Sequence, residues 1–318
     1  MDPKRYKNAV ALLSVVSNAF LAGIKLVIGL FTGSISIISE AIHSGVDLVA
    51  ALIALFSVRK SAKPADHDHP YGHGKVENIS GTIEAILIFF AAGFIINEAF
   101  HKLFNPQPLD LVGWGIGVML LSSVINIVVS HFLFVVAEAT ESVALEADAW
   151  HLRTDVYTSA GVLLGLSVIW TARKLVPGLN LNWIDPAAAI VVALLIIRAA
   201  YEMVKKSARD ILDVSLPDEE LSHLRDLIFR QVPAVIGFHD LRTRKAGSTR
   251  FVEFHLLVDR DMTVFDSHRI SHVIGNEIRQ IFPDTHVTVH IEPCDKTCPD
   301  KCTKHCILTA PEGIARGR

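Results

Sequence analysis

The sequence predicts an α-helical membrane protein with six spans, followed by a small soluble α+β domain. Of the 318 residues, 51% are hydrophobic and the mean hydropathy is +0.40, which is too apolar for an ordinary soluble protein. Apolar runs of about 20 residues, the length that crosses a bilayer, recur as far as residue 204. From residue 212 the composition becomes soluble, with short helical and strand-like segments.

The six predicted spans cover residues 9–31, 35–58, 79–100, 111–136, 143–176 and 186–204, within a transmembrane domain at residues 1–208. The basic start followed by a long apolar run predicts a retained first span rather than a cleaved signal peptide. Lys and Arg concentrate at the N-terminus, after the second span and after the sixth. The positive-inside rule therefore predicts that both termini and the loop after the second span are cytoplasmic.

The soluble domain is predicted at residues 209–293. A helix at 217–231 precedes strands at 238–244 and 250–258, a helix capped by Asp266 and Ser267 runs to 282, and a last strand covers 286–291. This α-β-β-α-β order is typical of a small α+β domain. The tail at residues 294–318 is polar and is expected to be unpacked.

Charge and cysteine content exclude several classes of protein. The net charge is −3 and no segment carries a strongly basic face, so no nucleic-acid partner is expected. All four cysteines fall in the tail, which argues against the disulfide scaffold of a small secreted domain. Their spacing of four residues would let the thiolates chelate a soft ion, and a flexible tail of reduced thiols is the alternative. These cysteines are Cys294, Cys298, Cys302 and Cys306.

Two identical pairs of ionisable residues fall inside spans. His43 and Asp47 in the second span, and His151 and Asp155 in the fifth, each stand four residues apart and so share one helix face. Ionisable groups within a membrane are costly and are functional by default. Four such ligands match the count of a closed tetrahedral zinc site. Four unrelated polar residues are the alternative, and the repetition of the pair argues against it.

Other polar residues suggest further roles. The loop after the second span offers Asp66, His69 and His73 at spacings that fold around a cation, with a merely solvated loop as the alternative. A further set of polar residues within spans is assigned to helix contacts or a vestibule, with metal ligation as the alternative. This set is Asn18, Glu40, Glu84, Glu98 and His131.

In the soluble domain, the alternation of a strand decides which side chains face together. His286, His290 and Glu292 are predicted to share the outer face of the last strand, and Val287 and its apolar neighbours the core face. Histidines with one carboxylate could gather into one or two metal sites, and ordinary surface histidines are the alternative. The candidates are His239, His255, His268, His290 and Glu292.

The chain resembles the cation diffusion facilitator family of divalent-metal/proton antiporters from the first span to Pro293. Four strings carry the resemblance: Gly-Ser-Ile-Ser-Ile at 33–37, the loop from Pro-Ala-Asp at 64–66 through Tyr-Gly-His-Gly-Lys-Val-Glu at 71–77, Ala-Asp-Ala-Trp-His at 147–151 with Asp155, and His-Asp-Leu-Arg-Thr-Arg at 239–244. The resemblance implies a homodimer in the cell (inner) membrane, with six helices per protomer and a cytoplasmic ferredoxin-like domain.

The resemblance also implies roles for particular residues. A transport site falls on His43, Asp47, His151 and Asp155, a loop site on Asp66, His69 and His73, and a cytoplasmic site on His239, His255, His268, His290 and Glu292. An ion pair falls on Lys75 and Asp213. This sequence differs from the common pattern in having His43 where many bacterial members have Asp, Glu292 for the usual Asp, and a Cys-rich tail. With His43 the transport site has two His and two Asp, a pattern that resembles the zinc-transporting branch of the family and favours Zn²⁺ over Fe²⁺.

Together these features predict export of divalent cations, Zn²⁺ first, from the cytoplasm by proton antiport through alternating access. Zn²⁺ is expected as the substrate and as a regulatory ligand, with no other cofactor. An intramembrane metalloenzyme would need an open coordination position and a base, as in His-Glu-x-x-His, and that motif does not occur, so no enzyme is expected. Efflux of Fe²⁺, Mn²⁺ or Cd²⁺ by the same mechanism, or a non-transporting membrane metal sensor, are the alternatives.

Overall fold

The computed structural model of the protein describes residues 3–32, 35–104, 113–175, 183–230 and 235–294. The chain divides into two compact units, Met1–Arg209 and Asp210–Arg318. In the residues that the structure describes, the regular secondary structure of the first unit is helical. Its helices are α1 (Pro3–Thr32), α2 (Ile35–Ser61), α3 (Lys75–Phe104), α4 (Gly113–Thr140), α5 (Val143–Leu175) and α6 (Ile184–Ile211).

Five of these helices, α1 to α4 and α6, are long and apolar enough to cross a membrane, judged on the described residues. Helix α5 has 33 residues and begins with a polar stretch. Helices α1, α2, α3 and α6 extend past the predicted spans because the backbone stays helical where the side chains become polar. Apolar side chains cover the outside of the unit, where Phe90 and Phe94 are 73% and 69% exposed. Such a surface suits contact with lipid rather than with water.

Helix α5 packs against α2, α3 and α4. Its buried residues Leu145 and Leu152 join α1, α2 and α4 in one apolar cluster, and Ala147 joins α3 and α6 in another. A glycine permits a close approach of α3 and α5: a Cβ at Gly81 of α3 would lie 2.9 Å from Cγ1 of Val143. Small residues at such crossings let helices associate within a membrane, where the hydrophobic effect between helices is weak.

A buried carboxylate joins four segments at the end of the bundle that carries the N-terminus. Glu77, 2% exposed, lies in the first turn of α3. Its Oε1 lies 3.3 Å from Nζ of Lys7 and accepts a 2.7 Å hydrogen bond from Ser61. Its Oε2 accepts a hydrogen bond from Ser142, directly before α5. The ammonium and the hydroxyl groups satisfy a charge that would otherwise be costly to bury.

The second unit follows the predicted α-β-β-α-β order, with elements α7 (Asp218–Phe229), β1 (Gly237–Ala246), β2 (Thr249–Val258), α8 (Val264–Ile281) and β3 (Thr285–Pro293). The sheet order is β1-β2-β3, with β1 antiparallel and β3 parallel to β2. The β1–β2 hairpin turns through Gly247, whose φ of +59° is a conformation that glycine adopts without strain. The predicted cap of α8 was wrong: the oxygen of Thr263 accepts from the backbone N–H of Asp266, so the helix begins earlier.

The core of the second unit lies between one face of the sheet and the two helices. Phe254 and Leu256 of β2 pack there with Leu224 of α7 and Ile274 of α8. Val287, Val289 and Ile291 of β3 pack against this core, as the alternation predicts. The opposite face of the sheet therefore carries the polar side chains of all three strands.

Candidate metal centres

The two His–Asp pairs of the spans converge between α2 and α5. Nε2 of His151 lies 3.1 Å from Oδ1 of Asp47. Ligand atoms of Asp47, His151 and Asp155 all lie within 4.8 Å of one another. Nε2 of His43 is 4.0 Å from Oδ1 of Asp47 and 3.9 Å from Oδ1 of Asp155. Two imidazoles and two carboxylates are therefore arranged as a donor set that suits zinc and neighbouring divalent ions.

Burial differs across this membrane cluster, defined by His43, Asp47, His151 and Asp155. Asp47 and His151 are 4% and 8% exposed, whereas the side chain of His43 is 52% exposed. Buried charges in a membrane protein pair with one another or mark an ion pathway. Asp47 and His151 pair with each other through their 3.1 Å contact. The exposed side chain of His43 borders the adjoining space, from which a cation can reach the cluster.

That space is a cavity of about 190 Å³ formed by α1, α2, α4 and α5. His43, Asp47 and Asp155 line it, together with Asn18 and Glu40. All of its lining residues on α1 and α2 fall between 18 and 47, in the half of these helices nearest the α1–α2 turn. The cavity therefore extends from the cluster toward that turn, away from the loop that follows α2.

The remaining in-span carboxylates and histidine lie elsewhere. Glu84 of α3 is buried and accepts a 3.2 Å hydrogen bond from Ser80. Glu98 and His131 are exposed on the outside of their helices. The structure thus separates the residues around the cavity from those that serve helix packing or face outward.

The loop between α2 and α3 brings Asp66, His69 and His73 together. Nδ1 of His69 is 3.2 Å from Oδ1 of Asp66, and Nε2 of His73 is 3.3 Å from Oδ2. Their ligand atoms lie within 4.8 Å of one another. The side chain of His73 is 1% exposed, and neither ring nitrogen makes a hydrogen bond of ordinary geometry. A buried imidazole aimed at a carboxylate in this way suits a bound cation.

The same loop holds its carboxylate in the ionised form. The backbone N–H of His69 donates a 2.8 Å hydrogen bond to Oδ1 of Asp66. This bond, supported by the His69 side chain, lowers the pKa of Asp66 below its ordinary value. The ionised carboxylate is the form that binds a metal.

In the second unit three histidines stand side by side across the sheet. His255 of β2 pairs with His239 of β1 on one side and with His290 of β3 on the other. The ring centroids are 5.0 Å apart for the first pair and 4.7 Å for the second. Glu292 accepts from Nε2 of His239 and from Nδ1 of His255, both at 2.9 Å. One carboxylate therefore links the row of imidazoles.

A β-bulge positions the first histidine of this row. The register of β1 against β2 shifts between His239 and Arg242, and Asp240 within it has a φ of +50°. Bulges re-aim side chains next to functional sites. The bulge also brings Asp240 near the row, so that ligand atoms of His239, Asp240 and His255 form one group and those of His255, His290 and Glu292 a second.

Several predicted residues lie outside these groups. His268 on α8 stacks edge-on against His272, with ring centroids 4.4 Å apart, and joins no metal-ligating group among the described residues. The assignment of His268 to the cytoplasmic site therefore stays a prediction. Cys294 is buried and its N–H bonds to the carbonyl of Val258.

The metal-binding role of the tail cysteines and the Lys75–Asp213 ion pair stay predictions. Cys298, Cys302 and Cys306 lie outside the described residues. Lys75 begins α3, and Asp213 belongs to the second unit, where its Oδ1 lies 3.5 Å from Nη1 of Arg244.

Sequence reasoning missed polar residues that surround the membrane cluster. Nδ2 of Asn126 on α4 lies 3.5 Å from Oδ2 of Asp155. Lys25, 6% exposed on α1, and Ser44 of α2 also line the cavity. A lone amide and a lone ammonium within apolar spans were the available signals.

The fold and these clusters define a polytopic membrane protein with imidazole and carboxylate groups converging from two spans. Residues 11–212 match the family described as cation efflux transmembrane domain, and residues 216–294 match the cation efflux protein, cytoplasmic domain. The chain belongs to this cation efflux family, the cation diffusion facilitators. Its members are cation efflux transporters and not enzymes, so the predicted family, fold class and non-enzymatic character are confirmed.

Named relatives agree with the assignment. The cation-efflux pumps FieF of Yersinia pestis (strain Pestoides F) and Yersinia pseudotuberculosis serotype IB (strain PB1/+) are each 32% identical over 296 residues, covering 92% of this chain and 96% of the relative. Among solved structures, a putative zinc transporter CzrB in its Zn form is 34% identical, covering 27% of this chain and 96% of that chain, with a TM-score of 0.25. The metal-bound C-terminal domain of the CzcD transporter from Thermotoga maritima is 31% identical, covering 26% and 100%, with a TM-score of 0.23.

Proposed function

We propose that this cation efflux protein exports Zn²⁺ from the cytoplasm in exchange for protons. The observation that carries the proposal is the membrane cluster, in which ligand atoms of Asp47, His151 and Asp155 lie within 4.8 Å of one another and His43 approaches both carboxylates. Two nitrogen and two carboxylate ligands match a four-coordinate zinc site. A less anionic set with more nitrogen reduces the preference for harder ions.

Proton exchange follows from the chemistry of these ligands. Imidazole and carboxylate must lose their protons before they hold a metal, so protons and metal compete for the same groups. The 3.1 Å contact between His151 and Asp47 supports this exchange, because a proton shared there occupies ligand atoms that the metal requires. Alternation of access between the two sides of the membrane then couples the two fluxes.

The direction of transport rests on charge distribution. Lys and Arg flank the N-terminus, the loop after α2 and the end of α6, which supports cytoplasmic termini in a bacterial-type inner membrane. In that orientation the α1–α2 turn faces outward. The cavity beside the cluster extends toward this turn and would be the exit route of the cation.

We assign a regulatory role to the cytoplasmic clusters. Zn²⁺ held by His239, His255, His290 and Glu292 would favour one arrangement of a homodimer and so bias the transport cycle. Such a population shift requires tighter binding to that arrangement than to the others. The Asp66, His69 and His73 loop would supply a second cytoplasmic site.

Zinc flux into proteoliposomes under an imposed pH gradient tests the proposal. We expect gradient-driven flux in the wild type and none in Asp155→Ala, because the variant lacks a ligand within the cluster. Glu146→Gln is the control, since Glu146 pairs with Lys206 outside the cavity. Zinc binding without flux in the wild type would favour a metal sensor, and equal flux in Asp155→Ala would discard this transport site.

Competition experiments decide the metal. Fe²⁺, Mn²⁺ and Cd²⁺ are added singly against Zn²⁺ in the same flux assay. We expect the harder ions Fe²⁺ and Mn²⁺ to reduce Zn²⁺ flux only weakly, because two of the four ligands are imidazoles. Stronger transport of Fe²⁺ or Mn²⁺ than of Zn²⁺ would contradict the zinc assignment and leave the cation efflux activity in place.

A further inference from the structure

We propose that Glu40 is an additional ligand for the transported cation and that Lys25 is a tethered cation that holds Glu40 whenever the metal is elsewhere. The inference rests on the proposed transport function and adds two residues to its route. Glu40 precedes His43 by three residues and Asp47 by seven, so all three share one face of α2. All three line the same cavity.

The contacts of Lys25 identify it as the partner of Glu40. Its Nζ lies 3.1 Å from Oε2 of Glu40 and donates a 2.8 Å hydrogen bond to Oγ of Ser44. Lys25 comes from α1, and both acceptors come from successive turns of α2. The ammonium therefore stands between Glu40 and the residue that directly follows His43.

Burial of the two partners is unequal. The side chain of Lys25 is 7% exposed, whereas that of Glu40 is 48% exposed. A buried ammonium needs an acceptor, but an exposed carboxylate can turn away into water. Ser44 is itself buried and keeps one acceptor for Lys25 when Glu40 turns away. The ion pair can therefore open at a lower cost than one whose ammonium has no second acceptor.

The charges in the cavity favour a divalent occupant. Among the described residues that line it, the carboxylates are those of Glu40, Asp47 and Asp155, and Lys25 is the one lysine or arginine. With neutral histidine, three negative charges and one positive charge leave an excess that one divalent cation balances. A cation that leaves Asp47 and Asp155 toward the α1–α2 turn next meets Glu40, where it displaces the ammonium.

Lysine variants give the sharpest test, because two substitutions have opposite predicted signs. In zinc flux measurements, Lys25→Met should lower KM by on the order of tenfold and lower the maximal rate, since Glu40 then holds the cation unopposed. Lys25→Arg should raise KM severalfold, because a guanidinium binds a carboxylate through two hydrogen bonds and releases it less readily. A merely structural ion pair predicts an unchanged KM for Lys25→Arg.

A variant of the carboxylate completes the test. Glu40→Gln should raise KM by on the order of tenfold, because it removes a ligand and leaves the positive charge of Lys25 unopposed beside the route. Combining Glu40→Gln with Lys25→Met should bring KM back toward the wild-type value by restoring the charge balance. Lys206→Met, which breaks an ion pair outside the cavity, is the matched control and should leave KM unchanged.

Thermal stability and elution profile are recorded for each variant, and Lys25→Arg keeps the test valid if Lys25→Met fails to fold. Flux in the wild type with the same KM in Lys25→Arg and Glu40→Gln would overturn the roles of Glu40 and Lys25 alone. Absence of flux in the wild type would instead contradict the proposed transport function. The opposite shifts of KM in Lys25→Met and Lys25→Arg would support the inference.

Discussion

The membrane cluster and the histidine row of the soluble domain use the same ligand chemistry in different surroundings. In the membrane, Asp47 and His151 are 4% and 8% exposed. In the soluble domain, the side chains of His290 and Glu292 are 64% and 30% exposed. An ion that enters the membrane cluster must lose most of its water, whereas an ion at the sheet can keep part of its hydration shell.

The two regions also differ in how the backbone assembles the ligands. Helices α2 and α5 each supply a pair at i and i+4, so two rigid elements define the membrane cluster, and a shift of one helix against the other changes every distance between the two pairs. The sheet supplies one histidine from each strand, locked by the register of β1, β2 and β3. This contrast suits the first region to binding and release, and the second to sensing.

The largest effect is expected from Asp47→Asn. This substitution removes a buried charge that contacts both His43 and His151. We expect zinc flux to fall by at least about a hundredfold, since loss of a ligand costs more than the 10–100-fold typical of residues that only support ligands. Flux into proteoliposomes measures it. Glu98→Gln makes the same kind of change at an exposed in-span carboxylate and should transport normally. A similar loss of flux in Glu98→Gln would mean that the effect of Asp47→Asn is not specific to the membrane cluster.

Next in size is the effect of His290→Ala on the soluble domain. We expect zinc affinity at the row to fall by about 10–100-fold and transport to continue with a weaker dependence on cytoplasmic zinc. Zinc titrations and flux at several cytoplasmic zinc concentrations measure the two effects. His286→Ala is the control, because His286 shares the strand face but stacks on Phe251 at 5.1 Å. An unchanged zinc dependence in His290→Ala would contradict the regulatory role.

A smaller effect is expected from His43→Asp, which sharpens the comparison by changing ligand type rather than number. Replacing a nitrogen ligand by a carboxylate makes the membrane cluster more anionic and harder, so preference should move severalfold from Zn²⁺ toward Mn²⁺ or Fe²⁺. Competition flux assays measure the ratio. Zinc binding at the histidine row should stay constant in the same protein. An unaltered ratio would mean that His43 does not set selectivity.

The smallest effect concerns the titration of Asp66. The backbone N–H of His69 lowers the pKa of Asp66, so its contribution to loop order is present above its ordinary pKa and is lost as the pH falls through the lowered value. Carbon-13 NMR of labelled Asp66 should give a lower midpoint than a peptide of residues 62–74. Equal midpoints would show that the loop does not hold the carboxylate as described.

Much of the fold was readable from local patterns. The apolar runs predicted the helices because each must bury its backbone polar groups within a membrane. Alternation predicted the outer face of β3, where His286, His290 and Glu292 lie opposite the core. Boundaries were less predictable: Thr263 caps α8 instead of Asp266 and Ser267, because several oxygen-bearing side chains near a helix start compete for the same N–H groups.

The sequence by itself determined the ligand types and their spacing on each element, since i,i+4 and period-2 relations follow from local backbone geometry. Only the tertiary structure decided which elements meet. It brought His151 within 3.1 Å of Asp47, a residue 104 positions earlier in the chain. It paired Lys25 with Glu40 and brought the ring of His255 beside those of His239 and His290. Such contacts depend on how helices and strands pack across long separations, and local spacing does not encode that packing.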